Sequence, residues 1–173
     1  MRSLDKNELK ELLVKCWMTH DGLWFYHCLQ ECGIEKTSKI NQAAARAVGA
    51  AEMRRITKAL GMEKVETFED LKKLIEEGFW VVKGDFMRFD YSFPSNDVMH
   101  FETRQCFAYE GIKRMGAIGG YDCGIFARVA GWFDGLGIQY EITPPLEGCM
   151  MHTEGKCFRD FRFFLQESGE RQE

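Results

Sequence analysis

Part-way along this chain the hydrophobic period changes from helical spacing to alternation, and that switch restricts the fold more than any other feature. From Lys6 to Cys32, at ~100° per residue, Leu9, Leu12, Leu13, Cys16, Trp17, Leu23 and Trp24 share one helical face, with His20 and His27 in its middle. Gly22 is a point where this helix bends or splits, and Gly33 is its stop. A second helix is predicted from about Thr37 to Leu60, ended by Gly61. Its small-residue stretch from Ala43 to Ala51 lets another helix come close. Thr67 and Asp70 read as the N-cap and third position of a short helix that carries Leu71, Leu74 and Ile75 and stops at Gly78.

The period then becomes two. Met87, Phe89, Tyr91 and Phe93 alternate with Phe86, Arg88, Asp90 and Ser92, which predicts a strand. The Pro94–Asp97 stretch turns the chain, and Val98 to Phe107 returns with Met99, Phe101 and Thr103 on one face. His100, Glu102, Arg104 and Cys106 lie on the other. A helical passage from Ala108 to about Leu136 is broken by Gly116, Gly119 and Gly120. After Pro144-Pro145, Cys149 to His152 and Cys157 to Leu165 read as a second hairpin turning at Glu154-Gly155. The expected fold is therefore α+β: N-terminal helices packed on an antiparallel sheet built from two hairpins with intervening helices.

A chain of 173 residues fits one domain, 1–173, with a helical part at about 5–78, a sheet-containing part at about 79–166 and a polar tail at 167–173. A net charge of −4 and no clustered basic face argue against nucleic acid as a partner. No apolar run is long enough to span a bilayer, and the charged start MRSLDKNELKELL does not read as a signal peptide, so the expected location is cytoplasmic. An odd number of cysteines, seven, then speaks for reduced thiols rather than a disulfide framework. Such thiols are buried as small hydrophobes or serve as ligands or nucleophiles. Fourteen Phe need a thick core, an aromatic pocket or a subunit interface.

No P-loop, HExxH, strand-borne GxGxxG or CxxC pair is present, so candidate sites come from placement. A two-residue turn at Glu154-Gly155 would set His152 opposite Cys157, where imidazole and thiolate share a zinc or iron or form a nucleophile–base pair; an ordinary cross-strand pair is the alternative. Cys123, in the first turn of a predicted helix with Asp122 as candidate cap, is either a lowered-pKa thiol or a buried inert one. His20 and Asp21, with Trp24 beside them, resemble the polar tips of an aromatic small-molecule pocket, against the plainer reading of core histidines. The polar hairpin face with His100 and Arg104 is a ligand contact only if a helix covers it; otherwise it is a solvated sheet face.

Glu147, Cys149 and Cys157, flanked by Phe158 and Phe161, resemble the ending of the four-vinyl reductase domain, a small α+β ligand-binding module. That resemblance implies metal-ligand roles for Cys149 and Cys157. The WMTHDGLWF segment, Cys106, the Cys123 region, Pro144-Pro145 before Cys149 and the Cys157 strand are similar to proteins of the 2-aminothiazoline-4-carboxylate hydrolase-like group, which brings no catalytic assignment.

Three functions are expected in descending order. The first is a cytosolic small-molecule-binding domain with a cysteine-ligated zinc or iron, held by Cys106, Cys149, Cys157 and His152, and with Trp24, His100 and Arg104 on the ligand. The second is a hydrolase of a small cyclic amidine or thiazoline carboxylate, with Cys123, His20 and Asp21 as catalytic residues. The third is a structural or partner-binding domain, with a homodimer among its forms.

Overall fold

The Asp5 carboxylate starts the first helix by accepting the backbone N–H groups of Asn7 and Glu8, and Glu8 returns a bond to the Asp5 N–H. In the computed structural model, which describes residues 2–165, α1 then runs Lys6–Ala59. Gly22 stays helical. Gly33 does not: its φ of 71° and ψ of 169° break the helix, in a region of backbone space that favours glycine.

That break reverses the chain. Residues 17 and 52 would lie about 52 Å apart in unbroken helix, at ~1.5 Å per residue. Arg128 nevertheless stacks on Trp17, 4.2 Å from the ring centre, and also binds Glu52. The arms 6–32 and 34–59 therefore lie side by side as a helical hairpin.

The second arm packs on α4 (Gly124–Leu136) through the small residues picked out from sequence. A methyl group added at Gly49 would collide with the Arg128 carbonyl oxygen, and one at Gly131 with the Arg46 carbonyl oxygen. The same contact carries a buried ion pair, Arg128 donating to both Glu52 carboxylate oxygens at 2.9 and 2.5 Å, while the Trp132 indole N–H donates to Glu52 at 3.1 Å. α2 (Phe68–Val82) begins with Thr67 and Asp70 capping each other's backbone, as the spacing predicted.

Four strands form one antiparallel sheet: β1 (Arg88–Ser95), β2 (Val98–Gln105), β3 (Gln139–Thr143) and β4 (Phe158–Phe164), in the order β1-β2-β4-β3. The fold is thus mixed helix and antiparallel sheet. Alternation decides which face is buried. Phe89, Tyr91, Met99, Phe101, Phe161 and Phe163 face α2 and α4, where Phe79, Phe126, Trp132 and Phe133 interleave with them. The fourteen Phe largely go there.

Three features differ from expectation: α2 runs through Gly78 to Val82 instead of stopping at Gly78, β3 is a strand that the spacing did not predict, and the second hairpin is absent. Met150–Glu154 is the short helix α5, ended by Gly155 in the left-handed conformation at φ 69°. A chain coiled over these residues cannot lie extended against 157–165. β4 pairs instead with β2 and with β3, so the proposed register of His152 against Cys157 does not exist. Between β2 and α4 come α3 (Phe107–Arg114) and a single turn of 3-10 helix at Ile118–Gly120. The polar tail predicted at 167–173 lies outside the described residues.

Candidate functional site

Three helices begin with a cysteine. Cys106 is the N-cap of α3, Cys123 of α4 and Cys149 of α5, and Cys157 stands one residue before β4. All four are buried and none is disulfide-bonded. N-cap residues leave the helical path, and the first N–H groups behind them have no intrahelical partner, so a side-chain acceptor there is favoured. Sulfur fills that place at Cys106, which accepts the Tyr109 N–H at 3.4 Å. At Cys123 the Phe126 and Ile125 N–H groups face the sulfur without closing a full cap bond.

The topology brings these four thiols together, at the junction where the main core, containing Cys123 and Cys157, meets a smaller cluster of Phe25, Ile112, Ala117, Tyr121 and Cys149. Their proximity is registered electrostatically. Burial pushes the Cys123 thiol up to about 12; charge on Cys157 and Cys106 adds to this, while the Phe126 N–H opposes it. Burial likewise pushes Cys157 up to about 11, with Cys106 and Cys149 raising it further and Arg159 pulling it down. Cys106 is raised by burial first, partly offset by the Tyr109 and Ala108 N–H groups, with Cys149 adding to the rise. Tyr121, fully enclosed beside Cys123, Cys106 and Cys149, is held well above its usual value by burial, and its hydroxyl accepts the Gly124 N–H at 3.0 Å.

Asp122 and Ser38 lock the loops that carry the sulfurs. The Asp122 N–H donates to the Ser38 hydroxyl at 2.7 Å, and the Asp122 carboxylate accepts the Gly148 N–H at 3.2 Å, just before Cys149. Asp122, expected as a helix cap, ties two cysteine loops together instead.

Arg159 is the unexpected member. It is 2% exposed and lies on the buried face of β4, two residues from Phe161. Its Nη1 donates to the Phe158 carbonyl oxygen at 2.6 Å and contacts the Met150 sulfur at 2.8 Å, and the guanidinium sits 5.2 Å from the centre of the Phe126 ring. Its head group therefore lies between the residue after Cys149 and the first turn after Cys123. Nε has no hydrogen-bond partner, and no carboxylate among the described residues pairs with it. A buried charge is costly unless it is paired. Sequence reasoning missed this residue although a signal was present: the phase that turns Phe161 and Phe163 inward also turns Arg159 inward.

The other predicted residues do not join the cluster. His152, on α5, is exposed, because the helix turns it away from Cys157. His20 and Asp21 are exposed and pair loosely with each other at 3.4 Å. Phe25, which touches Tyr121, lies five residues on, so at ~100° per residue His20 points to the other side of the arm. Trp24 is 49% exposed on that same outer side. His100 and Arg104 stand on the outer face of the sheet, where no helix among the described residues covers them. His100 pairs with Asp160 at 2.6 Å and Arg104 with Asp90 at 2.8 Å, an ordinary solvated ladder. The structure thus brings Cys106, Cys149 and Cys157 together with Cys123, and leaves His20, Asp21, Trp24, His100, Arg104 and His152 apart. Among the described residues no three His, Cys, Asp or Glu side chains have the arrangement of a metal site.

A model of a family of unknown function, DUF6125, matches residues 2–123, which include Cys106 and Cys123. The chain belongs to this family. No curated protein and no solved structure matches it. The family match ends before Cys149, Cys157 and Arg159. Among the described residues no helix is long and apolar enough to cross a membrane.

Proposed function

We propose that this DUF6125 protein is a small metal-binding domain in which Cys106, Cys123, Cys149 and Cys157 hold one zinc or iron centre as thiolates, with Arg159 as the built-in counter-charge. The observation that carries this reading is the buried Arg159, without a carboxylate partner among the described residues and close enough to Cys157 to ease its ionisation, at the edge of the cysteine cluster. Neutral thiols give it nothing to pair with, whereas four thiolates around a divalent ion carry a net charge of about −2. An all-sulfur donor set suits zinc or an iron–sulfur group. Burial keeps the metal-free thiols neutral, the N–H groups at the starts of α3 and α4 partly offset that, and a bound metal would draw the thiols into the anionic form. The resemblance of the Cys149–Cys157 ending to the four-vinyl reductase domain points the same way. Such a centre needs reduced thiols, which suits the cytoplasm.

When bound, the metal would supply cross-linking of three helix starts and one strand. The protein's own residues hold the thiols in place through Asp122 and Ser38, exclude water through Phe25, Phe126 and Tyr121, and fix the counter-charge. A small-molecule ligand would find room in an open groove of about 780 Å³ lined by Lys10, Trp80, Lys83, Arg88 and Tyr91, away from the thiols. A thiol-nucleophile hydrolase is less well supported: burial holds Cys123 and Cys157 protonated, and His20, His27 and His152 are exposed while His100 is engaged by Asp160.

Purification without oxygen followed by elemental analysis tests the proposal. The expected result is about one zinc or one iron centre per chain, lost on Cys106→Ser, Cys123→Ser, Cys149→Ser or Cys157→Ser. A chelator-stripped protein that keeps its native circular dichroism and takes up neither zinc nor ferrous iron would overturn it.

A further inference from the structure

We infer that the outward face of the first α1 arm pairs with the same face of a second copy of this chain, making a homodimer. Leu9, Leu13, Cys16, His20, Leu23 and His27 follow one another at steps of 4, 3, 4, 3 and 4 residues. That alternation of four and three is the heptad spacing of a coiled-coil seam. The other side of the arm is already in use: Val14 packs against Gly84, Trp17 against Arg128 and Phe25 against Tyr121. The helix is therefore apolar on two sides, and only one of them meets the body of the protein.

The free side is large. Leu9 is 47% exposed, Leu12 49%, Leu13 59%, Leu23 55% and Trp24 49%, and the intervening Cys16, His20 and His27 are exposed too. The five apolar side chains offer roughly 500 Å², at the upper end of what isolated monomers usually expose, and the exposed Cys16, His20 and His27 extend the face towards the ~800 Å² that each partner buries in a standard interface.

The order of residues argues for a second copy as the occupant. Run antiparallel, with positions summing to 36, the seam sets Leu13 against Leu23 of the second copy and Cys16 against His20 of the second copy. Leu9 then meets His27 of the second copy. Apolar meets apolar and polar meets polar at the four central positions, and each contact occurs twice, as two-fold symmetry requires. A parallel pair would stack His20 on His20 and His27 on His27, like charges once protonated.

The test is sedimentation velocity of the full chain across a roughly 100-fold dilution. The wild type is expected at twice its 20.1 kDa chain mass, with Leu13→Glu and Leu23→Glu each weakening dimerisation at least tenfold. Both positions are exposed in the single chain, so unchanged circular dichroism shows that these variants still fold. Leu13→Glu combined with Leu23→Lys is expected to recover dimer, since the new charges face each other across the antiparallel seam. Wild-type protein at single-chain mass throughout, or single variants that dimerise like the wild type, would overturn the inference. A double variant that stays monomeric would overturn the antiparallel register. None of these readouts depends on metal content.

Discussion

Replacing Arg159 by methionine separates the role of this residue in folding from its role at the thiols. In the metal-free protein the guanidinium makes a bond to the Phe158 carbonyl, worth about 1.5–3 kcal/mol for a charged donor, and a cation–π contact with Phe126 worth about 0.5–2 kcal/mol. Against these stand the unpartnered Nε, costing about 1–3 kcal/mol, and the desolvation of a charge with no anion. Gains and losses nearly cancel. Methionine also fills much of the same space without a charge, so Arg159→Met is expected to change metal-free stability by no more than about 1 kcal/mol. With thiolates present the balance shifts. At an effective dielectric of about 20 and a separation on the order of 6 Å, a thiolate at Cys157, whose ionisation Arg159 eases, gains about 2.8 kcal/mol from the guanidinium. Affinity for zinc should then fall by at least about 100-fold in Arg159→Met and largely survive in Arg159→Lys. Urea unfolding of chelator-treated protein gives the first quantity, and competition against a chromophoric chelator gives the second. A metal-free destabilisation above about 3 kcal/mol, or unchanged zinc affinity, would refute the counter-charge argument.

Four further outcomes follow from the packing and from the thiols. Glu52→Ala strands the Arg128 guanidinium and the Trp132 N–H in a largely buried setting, so it should cost about 3–5 kcal/mol and lower Tm by roughly 6–20 °C in thermal unfolding. Gly131→Ala forces a methyl group into the Arg46 carbonyl and should destabilise by at least about 1–3 kcal/mol, whereas Gly22→Ala, with open space around it, should be neutral or stabilising by urea titration. For pH, the folded thiols of Cys106, Cys123 and Cys157 resist ionisation while the unfolded chain ionises near 9, so metal-free stability should hold below about pH 9 and decline as pH rises towards 11–12. Denaturant titrations from pH 8 to pH 11 would show that slope, reduced in Cys123→Ala; a flat profile contradicts the burial argument. Native protein should react with a thiol reagent first at the exposed Cys32, which lies outside the dimer seam, and far more slowly at the four buried cysteines.

Local chemistry was enough to read much of the fold. The Thr67–Asp70 capping box, the stop at Gly33 and the alternation through β1 and β2 are properties of a few neighbouring residues, and they stand in the structure where the spacing put them. The stretch from Met150 to Glu154 was misread because five residues hold too little periodicity to distinguish a helical turn from a strand. The left-handed Gly155 that ends the helix also resembles a hairpin turn. At the candidate site, sequence singles out Cys106, Cys149 and Cys157 as candidate ligands and Cys123 as a thiol of interest, and the structure places all four in one buried region. His152 was drawn in only by the mistaken hairpin.

The sequence by itself determined which segments coil and which extend, because propensity and hydrophobic period act over a few residues. It also kept Phe161 and Phe163 on one face with Arg159, since alternation fixes sides along a strand. Only the tertiary structure decided that the starts of three helices and the end of one loop meet around four sulfurs, because no local rule relates Cys106 to Cys149 across forty residues of chain. Only it decided that the apolar stripe of Leu9, Leu13 and Leu23 faces outward. A helix with two apolar sides offers either one to the core, and the fit of Val14, Trp17 and Phe25 against the body chose.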